Sequence, residues 1–162
     1  MKSNLKECIA PYVPSLVLAV PAVVVFFIGK DFRLSLAFGY GAAWYTFFLY
    51  HFSHANLFHL AANMVALFEF KPRWNTVLVG YICSTLSAFL LGLLPMDIMT
   101  CGMSGLIMAC IARKYASWKW KIWKILVINL VLAFIPNFDW RIHLLSFFMS
   151  YAIWKVVNRA RT

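Results

Sequence analysis

The chain is divided into six apolar segments by short polar or basic separators. The segments cover residues 11–28, 56–70, 75–94, 102–115, 122–135 and 140–157. A helix needs about 20 apolar residues, with a range of roughly 17–25, to cross the hydrocarbon core of a bilayer. The pattern therefore predicts an all-α membrane protein with six transmembrane helices.

The composition agrees with a lipid environment. Of the 162 residues, 64% are hydrophobic and the mean hydropathy is +0.79, above the roughly 45–50% apolar usage of soluble domains. The surplus apolar surface needs a solvent other than water, so we expect an integral membrane protein in contact with the bilayer. No repeat or composition break divides the chain, which predicts a single domain over residues 1–162.

The basic residues are distributed unevenly between the separators. If the N-terminus is inside, twelve of the 15 Lys and Arg lie on the cytoplasmic side, and the other three are Lys30, Arg33 and Arg141. Cytoplasmic loops collect Lys and Arg, so both termini are predicted to be cytoplasmic.

The formal charge of +10 is also explained by Lys and Arg in cytoplasmic loops. Without a zinc-finger spacing or an RNA-binding aromatic motif, it indicates no nucleic-acid partner.

Two apolar stretches need separate assignment. Lys2 and Lys6 precede the first segment, which ends in Val-Val-Val-Phe-Phe-Ile rather than at a small-residue cleavage site. We therefore expect a retained helix and not a secretory signal.

Residues 34–53 are apolar and aromatic, and they contain Gly39 and Gly41. They are predicted to form an external connection that lies in the membrane interface rather than a seventh span.

The cysteines and most histidines do not have the spacing of a metal site. No C-x-x-C pair occurs, and the cysteines fall mainly within or beside apolar runs, which predicts packing roles for Cys8, Cys83, Cys101 and Cys110. His51, His54 and His59 are three and five residues apart, a spacing that spreads them around a helix. We expect no metal and no cofactor.

Polar side chains at membrane depth are expensive and are candidates for function. His59 and Asn63 are four residues apart and therefore share one face of the second segment. Ser104 lies at the start of the fourth segment between Gly102 and Gly105. At a helix start, free N–H groups and the positive end of the dipole favour a developing oxyanion. Glycine also lets a substrate backbone approach closely.

His143 lies in the first turns of the sixth segment, at a predicted depth similar to that of Ser104. A nucleophile and its base must lie at a similar depth to be in contact. Small residues follow both positions: Gly105, Ala109 and Ala112 in the fourth segment with Ala116 directly after it, and Ser146 and Ser150 in the sixth. Such stripes let two membrane helices approach closely, so we expect contact between these two helices.

These residues together resemble the rhomboid intramembrane proteases. The stretch from His54 through His59 to Asn63 is similar to the family's H-x-x-x-x-H-x-x-x-N. The run Gly102-Met-Ser104-Gly105 is similar to its G-x-S-G, and His143 begins a stretch that resembles its A-H-x-x-G-x-x-x-G. The three motifs stand in the family's order.

The resemblance implies a six-transmembrane-helix rhomboid-like bundle with the activity of an intramembrane serine endopeptidase. Its substrates would be membrane-anchored proteins, cleaved in their transmembrane segments near the external membrane face. Ser104 would attack the peptide carbonyl and His143 would transfer the proton, while His59 and Asn63 would line the oxyanion hole with the Ser104 N–H group. We expect the plasma (inner) membrane of a bacterium as its location.

Other residues of the motifs differ from the family or have narrower roles. Gly102 and Gly105 would permit substrate approach and helix packing, together with Ser146. Ile142 stands in place of the family's alanine, and Ser146 and Ser150 in place of its glycines. The frequent tyrosine four residues after the serine is Met108, and Trp44 is followed by Tyr45 where the family has a Trp-Arg pair. His51-Phe-Ser-His54 resembles a pattern in rhombosortases, which process C-terminal sorting tails.

Other classes fit the sequence less well. Asp31, Asp97 and Asp139 fall in predicted external loops, which excludes an aspartyl intramembrane protease, and no H-E-x-x-H motif indicates a zinc protease. Asp139, four residues before His143, is predicted to be an N-cap or loop residue and not a triad member. The open alternative is a rhomboid-like pseudoprotease that binds transmembrane clients without cleaving them.

Overall fold

The computed structural model describes residues 5–94, 99–116, 122–134 and 139–160. The described chain is helical apart from turns and one isolated antiparallel bridge between Phe38 and Thr100, so the all-α prediction is confirmed. The α-helices are α1 Leu5–Ile9, α2 Val13–Ile28, α3 Lys30–Ser35, α4 Thr46–Leu49, α5 Leu57–Phe70, α6 Trp74–Gly92, α7 Ser104–Ala116, α8 Ile122–Leu132 and α9 Trp140–Arg159. Two 3-10 turns, Ala10–Tyr12 and Tyr50–Phe52, complete the set.

Each of the six apolar segments is helical over most of its length, but the helices differ in length. By length and apolarity, two helical stretches among the described residues are suited to cross a membrane: Glu7–Ile28 and Trp74–Gly92. Helices α5, α7 and α8 have 14, 13 and 11 residues, fewer than the roughly 17–25 of a full span. Six spans and cytoplasmic termini therefore remain predictions.

The predicted boundaries differ from the structure where the backbone departs from helical geometry. The fourth helix begins at Ser104 and not at residue 102, because Gly102 has a φ of 94°, outside the helical region. The fifth helix ends at Leu132, while residue 135 and the separator 136–138 lie outside the described residues. The last helix continues to Arg159, two residues beyond the predicted end.

Helix α7 lies at the centre of the bundle and packs against both α9 and α6. Its small residues are buried along the whole length: Gly105, Ala109, Ala112 and Ala116. The Ser150 hydroxyl of α9 donates a hydrogen bond of 2.6 Å to the Ala109 carbonyl of α7. A side chain can reach the backbone of a neighbouring helix in this way only where two helices approach closely, as small residues permit.

The bundle has two chemically distinct ends. At one of them α5 ends, α6 begins and α7 ends, and Arg113 of α7 donates hydrogen bonds to Asn75 and Thr76 in the first turn of α6. The beginning of α2 lies at the same end, since the Ser15 hydroxyl donates to the Leu67 carbonyl of α5. Lys71 and Lys114 also belong to this end, which we call the basic end.

The connection 34–53 forms no long helix in the described chain, and some of its side chains are buried in the bundle. Phe38 and Tyr50 belong to a core cluster with Ala88 of α6 and Ile142 of α9. The Tyr50 hydroxyl donates to the Ser84 carbonyl of α6 at 3.0 Å. Trp44 is 74% exposed. The connection therefore contributes to the core through some of its side chains and presents others outward.

The cysteines match the predicted packing role in part. Cys83 and Cys110 are buried and free, and Cys101 is half-buried. Cys8 is exposed on α1, so the prediction that it is a packing residue is wrong.

Candidate active site

Ser104 is the first residue of α7, and the backbone before it sets its position. Gly102, two residues earlier, has a φ of 94°, a conformation that glycine adopts readily and other residues rarely. The Gly102 N–H donates to the Tyr50 carbonyl at 2.9 Å, which ties this turn to the connection. Met103 is fully buried. The serine therefore stands on a fixed turn at a helix start, beside backbone N–H groups with no carbonyl partner inside the helix.

The hydroxyl of Ser104 and the imidazole of His143 are joined by a hydrogen bond. The distance from Ser104 Oγ to His143 Nε2 is 2.7 Å, across 39 residues of sequence. His143 is the fourth residue of α9 and is 4% exposed. In the tautomer that carries its proton on Nδ1, Nε2 accepts the hydrogen bond from the hydroxyl. This is the arrangement in which an imidazole removes the proton of a nucleophilic serine.

The contact between α7 and α9 next to this pair depends on small side chains. A Cβ placed on Gly105 would lie 3.3 Å from Ile142 Cγ1 and 3.4 Å from Ser146 Oγ. Ser146 is fully buried. The bond from Ser150 to Ala109 extends the close contact one turn further. Gly105 and Ser146, which were predicted as packing residues, therefore lie at the helix contact that carries Ser104 and His143.

His59 packs directly against Gly102. A Cβ on Gly102 would lie 2.7 Å from both Cε1 and Nε2 of the His59 ring, so only glycine leaves room for this contact. The Nε2 atom of His59 is buried and has no hydrogen-bond partner among the described residues. An imidazole nitrogen is thus held beside the turn that precedes Ser104, where it is available to a group that is not part of the described chain.

Asn63, the second predicted oxyanion donor, makes a hydrogen bond within its own helix. It is 4% exposed and lies one turn after His59 in α5. Its Nδ2 donates to the His59 carbonyl at 2.9 Å, a bond within α5. The amide carries a second N–H. The observed bond fixes the Asn63 side chain against the turn that carries His59, and its oxyanion role stays a prediction.

Two further residues support the site from the connection. The Tyr50 carbonyl accepts a hydrogen bond from the Gly102 N–H, and the Tyr50 hydroxyl donates to the Ser84 carbonyl of α6. Tyr50 therefore connects the turn before Ser104 to α6. His54 is fully buried, and its ring lies edge-on to that of His59, with 5.1 Å between centroids. Burial lowers the pKa of His54 to about 4, so it is neutral at pH 7. Sequence reasoning placed His54 in a motif, but no local pattern distinguished Tyr50 from the other aromatics nearby.

Asp139 stands at the N-cap position of α9, but its carboxylate does not cap the helix. It accepts a hydrogen bond of 2.6 Å from the Thr100 hydroxyl and pairs with Arg141 at 2.9 Å. Asp139 is thus the N-cap residue, one of the two positions predicted for it, but it makes no side-chain cap bond because these two donors occupy its carboxylate. Asp139 connects the strand-like segment at Thr100 to the start of α9.

Among the described residues, no group of three His, Cys, Asp or Glu side chains is arranged to hold a metal ion. What the site does contain is a serine bonded to an imidazole, a helix start, and a second imidazole with a free nitrogen. These parts are sufficient for nucleophilic attack on a carbonyl with proton transfer by the base. Comparison with protein-family models and with curated proteins finds no match to the chain.

Proposed function

We propose that the chain is an intramembrane serine endopeptidase of the rhomboid type, which cleaves transmembrane segments of membrane-anchored proteins near the external membrane face. The observation that carries the proposal is the 2.7 Å hydrogen bond between Ser104 and His143 at the start of two adjacent helices. A serine in a membrane helix more often bonds to a carbonyl of its own helix. Pairing with a buried imidazole on another helix favours a catalytic use.

The reaction uses Ser104 and His143 in two steps. The Ser104 oxygen attacks the peptide carbonyl while His143 Nε2 takes the hydroxyl proton, and the C–N bond then breaks as His143 gives that proton to the departing amine. The resulting acyl ester on Ser104 is attacked by water, whose proton passes to His143. That proton returns to the Ser104 oxygen as the carboxylic acid leaves, so the enzyme is restored.

The negative oxygen of each tetrahedral intermediate needs donors that are already in place. The first turn of α7 supplies backbone N–H groups and the positive end of the helix dipole. The N–H of Gly102 is committed to Tyr50 and does not take part. His59, with its buried Nε2 beside Gly102, adds a side-chain donor when that nitrogen carries the proton, and Asn63 has one amide N–H beyond the bond to His59.

A membrane position is supported by the apolar side chains that the bundle exposes. Large exposed apolar patches mark surfaces that contact other apolar matter. On α2 and α6 the exposed residues include Val17, Val20, Val24, Phe27, Leu78, Ile82, Leu86 and Phe89. Exposed apolar residues on α8 include Leu126, Val127, Leu130 and Val131. In the proposal, lipid covers these surfaces.

The proposed orientation is supported by the order of residues along three helices. Helices α5, α7 and α9 carry His59, Ser104 and His143 in their first turns, and basic residues at or near their other ends. With the basic end in the cytoplasm, the catalytic pair faces outward, as the proposed topology requires. Helix α7 is about 20 Å long at roughly 1.5 Å per residue. Since the hydrocarbon core is about 30 Å thick, Ser104 would lie below the outer surface.

The direct test is covalent labelling of the detergent-purified protein by a fluorophosphonate probe, which reacts with activated serines. We expect labelling of the wild type, none of Ser104→Ala, and a very large reduction in His143→Ala. Ser87→Ala is the matched control, because Ser87 is also buried in a helix but bonds only to the Cys83 carbonyl and the Met149 sulfur in the described structure. Equal labelling of Ser104→Ala and wild type would refute the proposal.

Cleavage is then measured in liposomes with a membrane-anchored reporter that has small residues near the outer end of its helix. Ser104→Ala and His143→Ala should abolish cleavage, whereas Asn63→Ala should retain about 10⁻² to 10⁻³ of the activity, the usual effect of losing one oxyanion donor. A wild type that neither labels nor cleaves would instead favour a pseudoprotease that binds transmembrane clients.

A further inference from the structure

A cavity of about 480 Å³ opens at the basic end of the bundle. It is lined by Phe70, Lys71, Pro72, Arg73, Thr76, Cys110, Arg113 and Lys114. Arg113 lies nine residues after Ser104 on α7, which corresponds to roughly 14 Å along the helix. The cavity is therefore separate from the candidate active site, and the proposed peptidase mechanism makes no use of it.

Four cationic side chains from different elements line this one cavity. Lys71 and Arg73 come from the link between α5 and α6, and Arg113 and Lys114 from the last turn of α7. Among the described residues that line the cavity, none is a carboxylate. Glu69, the nearest acidic residue in sequence, is exposed and lies outside the lining, although its charge acts on Lys71. The described lining of the cavity is therefore cationic.

Positive charge is held at fixed positions around the cavity, as the binding of an anion requires. Arg113 is fixed by hydrogen bonds of 2.7 Å to Thr76 Oγ1 and 3.0 Å to Asn75 Oδ1, so its charge is held in place. The 19-residue helix α6 begins here, and its N-cap residue Arg73 makes no side-chain cap. Its first N–H groups and dipole add to the positive potential, and helix starts bind phosphate in this manner.

The walls of the cavity run from a charged rim to a buried floor. Lys71, Arg73 and Lys114 are exposed, whereas Pro72, Thr76 and Cys110 are buried. The Cys110 thiol bonds to the Thr76 carbonyl at 3.5 Å and closes the floor. A volume of about 480 Å³ lies in the range of small-ligand sites, which is roughly 300–1,000 Å³. A phosphate group with some attached carbon skeleton fits such a space.

We propose that this cavity binds a phosphate-bearing anion at the basic end of the bundle. The phosphate belongs to the headgroup of an anionic phospholipid or to a soluble phosphate compound, which present the same chemistry to the cavity. Basic pockets between membrane helices on the cytoplasmic side recognise headgroups of this kind. The lipid source rests on the proposed membrane position but does not depend on peptidase activity.

The test measures binding of three probes to the detergent-purified full chain by isothermal titration calorimetry. The probes are dihexanoyl phosphatidylglycerol, the zwitterionic dihexanoyl phosphatidylcholine, and inorganic phosphate. We expect phosphatidylglycerol or phosphate to bind and phosphatidylcholine to bind at least tenfold more weakly. Tighter binding of phosphatidylglycerol than of phosphate assigns the lipid source, and the reverse assigns the soluble one.

The variant Lys71→Gln/Arg73→Gln removes two charges from the cavity, and both side chains are exposed, so the fold should be retained. Binding of the anionic probe should fall about tenfold or more. The matched control is Lys155→Gln/Arg159→Gln, which removes two basic residues near the end of α9 that do not line the cavity. The control should bind as the wild type does.

The proposal is overturned if the cavity variant binds like the wild type, if the control loses as much affinity as the cavity variant, or if phosphatidylcholine binds as well as phosphatidylglycerol. Ser104→Ala provides the separation from the proposed peptidase. Its binding should equal that of the wild type, so failure of the peptidase proposal and failure of the anion site give different results.

Discussion

At the scale of single residues, the candidate site requires glycine at position 102 for two separate reasons. Gly102 has a φ of 94°, and the His59 ring occupies the space that a Cβ would need. The first reason concerns backbone strain and the second concerns the position of an imidazole. Gly41 has a φ of 74° but nothing within 4 Å of its Cβ position. Gly41 is therefore a control position, at which alanine would strain the backbone without a steric clash.

We expect Gly102→Ala to reduce fluorophosphonate labelling of Ser104 by more than tenfold, because His59 and the turn before Ser104 must both shift. Gly41→Ala suffers a similar backbone penalty, of order 1–3 kcal/mol, without displacing a ring, and should label nearly as the wild type does. The two variants are compared at matched folded concentration, judged by size-exclusion chromatography. Equal losses in both would show that strain, and not the His59 contact, is responsible.

Asp139 provides a second test at this scale. Its carboxylate is bonded to Thr100 and Arg141, so it stabilises a junction and does not serve as the third member of a triad. Loss of a true orienting aspartate lowers kcat by about 10⁴-fold. Asp139→Asn should lower the cleavage rate less than about tenfold, since an amide oxygen can still accept from the Thr100 hydroxyl. A loss near the triad figure in a protein that remains folded would assign Asp139 to the catalytic machinery.

The polar residues could be identified from the sequence because polar groups are rare within its apolar segments, and a short set of candidates included Ser104, His59 and His143. The resemblance implied contact between Ser104 and His143, but the hydrogen bonds around this pair could not be predicted. Whether Asp139 caps its helix depends on Thr100 being bonded to Phe38 across the isolated bridge, a contact between residues 62 apart in sequence. Tyr50 was missed for the same reason, since its two partners lie on α6 and before α7.

At the scale of helices, the contact between α7 and α9 sets the distance between nucleophile and base. Ser146 is fully buried at this contact, and its Oγ lies 3.4 Å from where a Cβ on Gly105 would be. The Ser146 hydroxyl has no hydrogen-bond partner among the described residues. The helix contact therefore depends on the small size of this side chain and not on its polarity. Size and polarity can therefore be separated by substitution.

Ser146→Leu should reduce both stability and activity, because a large side chain would push α9 away from α7 near His143. Overpacking of this kind typically costs about 1–3 kcal/mol. Ser146→Ala keeps the contact small and should retain cleavage within a few-fold of wild type. Thermal unfolding and the liposome cleavage assay measure the two effects. Wild-type cleavage by the leucine variant would contradict the role assigned to close helix approach.

The helices themselves followed from the apolar segments, because a run of apolar residues between polar separators determines where a helix can be buried. The connection 34–53 did not follow. Its alternation of exposed and buried aromatics, such as exposed Trp44 and buried Tyr50, depends on which side chains find space beside α6 and α9. The local sequence does not determine where that space lies, so it did not predict which side chains of this stretch would be buried.

At the scale of the whole molecule, the chemistry is divided between the two ends of one bundle. The outer end in the proposed orientation holds Ser104, His143 and His59, and the basic end holds the cavity lined by Lys71, Arg73, Arg113 and Lys114. Helix α7 connects them, since it begins with the serine and ends with two of the cations. A ligand in the cavity would contact the same helix that positions the nucleophile.

This arrangement leads to a prediction about topology. The start of α2 and the later turns of α9 both lie at the basic end, as the bond from Ser15 to Leu67 and the stacking of Arg113 over Trp154 at 4.7 Å indicate. A chain whose first long helix begins on the side where its last long helix ends crosses the membrane an even number of times. Basic residues favour the cytoplasm, so both termini should be inside and the connection outside.

Labelling of single cysteines on intact cells with a membrane-impermeant maleimide tests this topology. In a Cys8→Ser/Cys101→Ser background the remaining native cysteines, Cys83 and Cys110, are buried and should stay unreactive. We expect Trp44→Cys to label from outside, because Trp44 is 74% exposed on the connection, and Ala160→Cys to label only after the cells are permeabilised. External labelling of residue 160 would place the basic end outside. Since Ser104 lies at the opposite end of α7, the catalytic pair would then face the cytoplasm, and the proposed cleavage near the external face would be wrong even if Ser104 remained reactive.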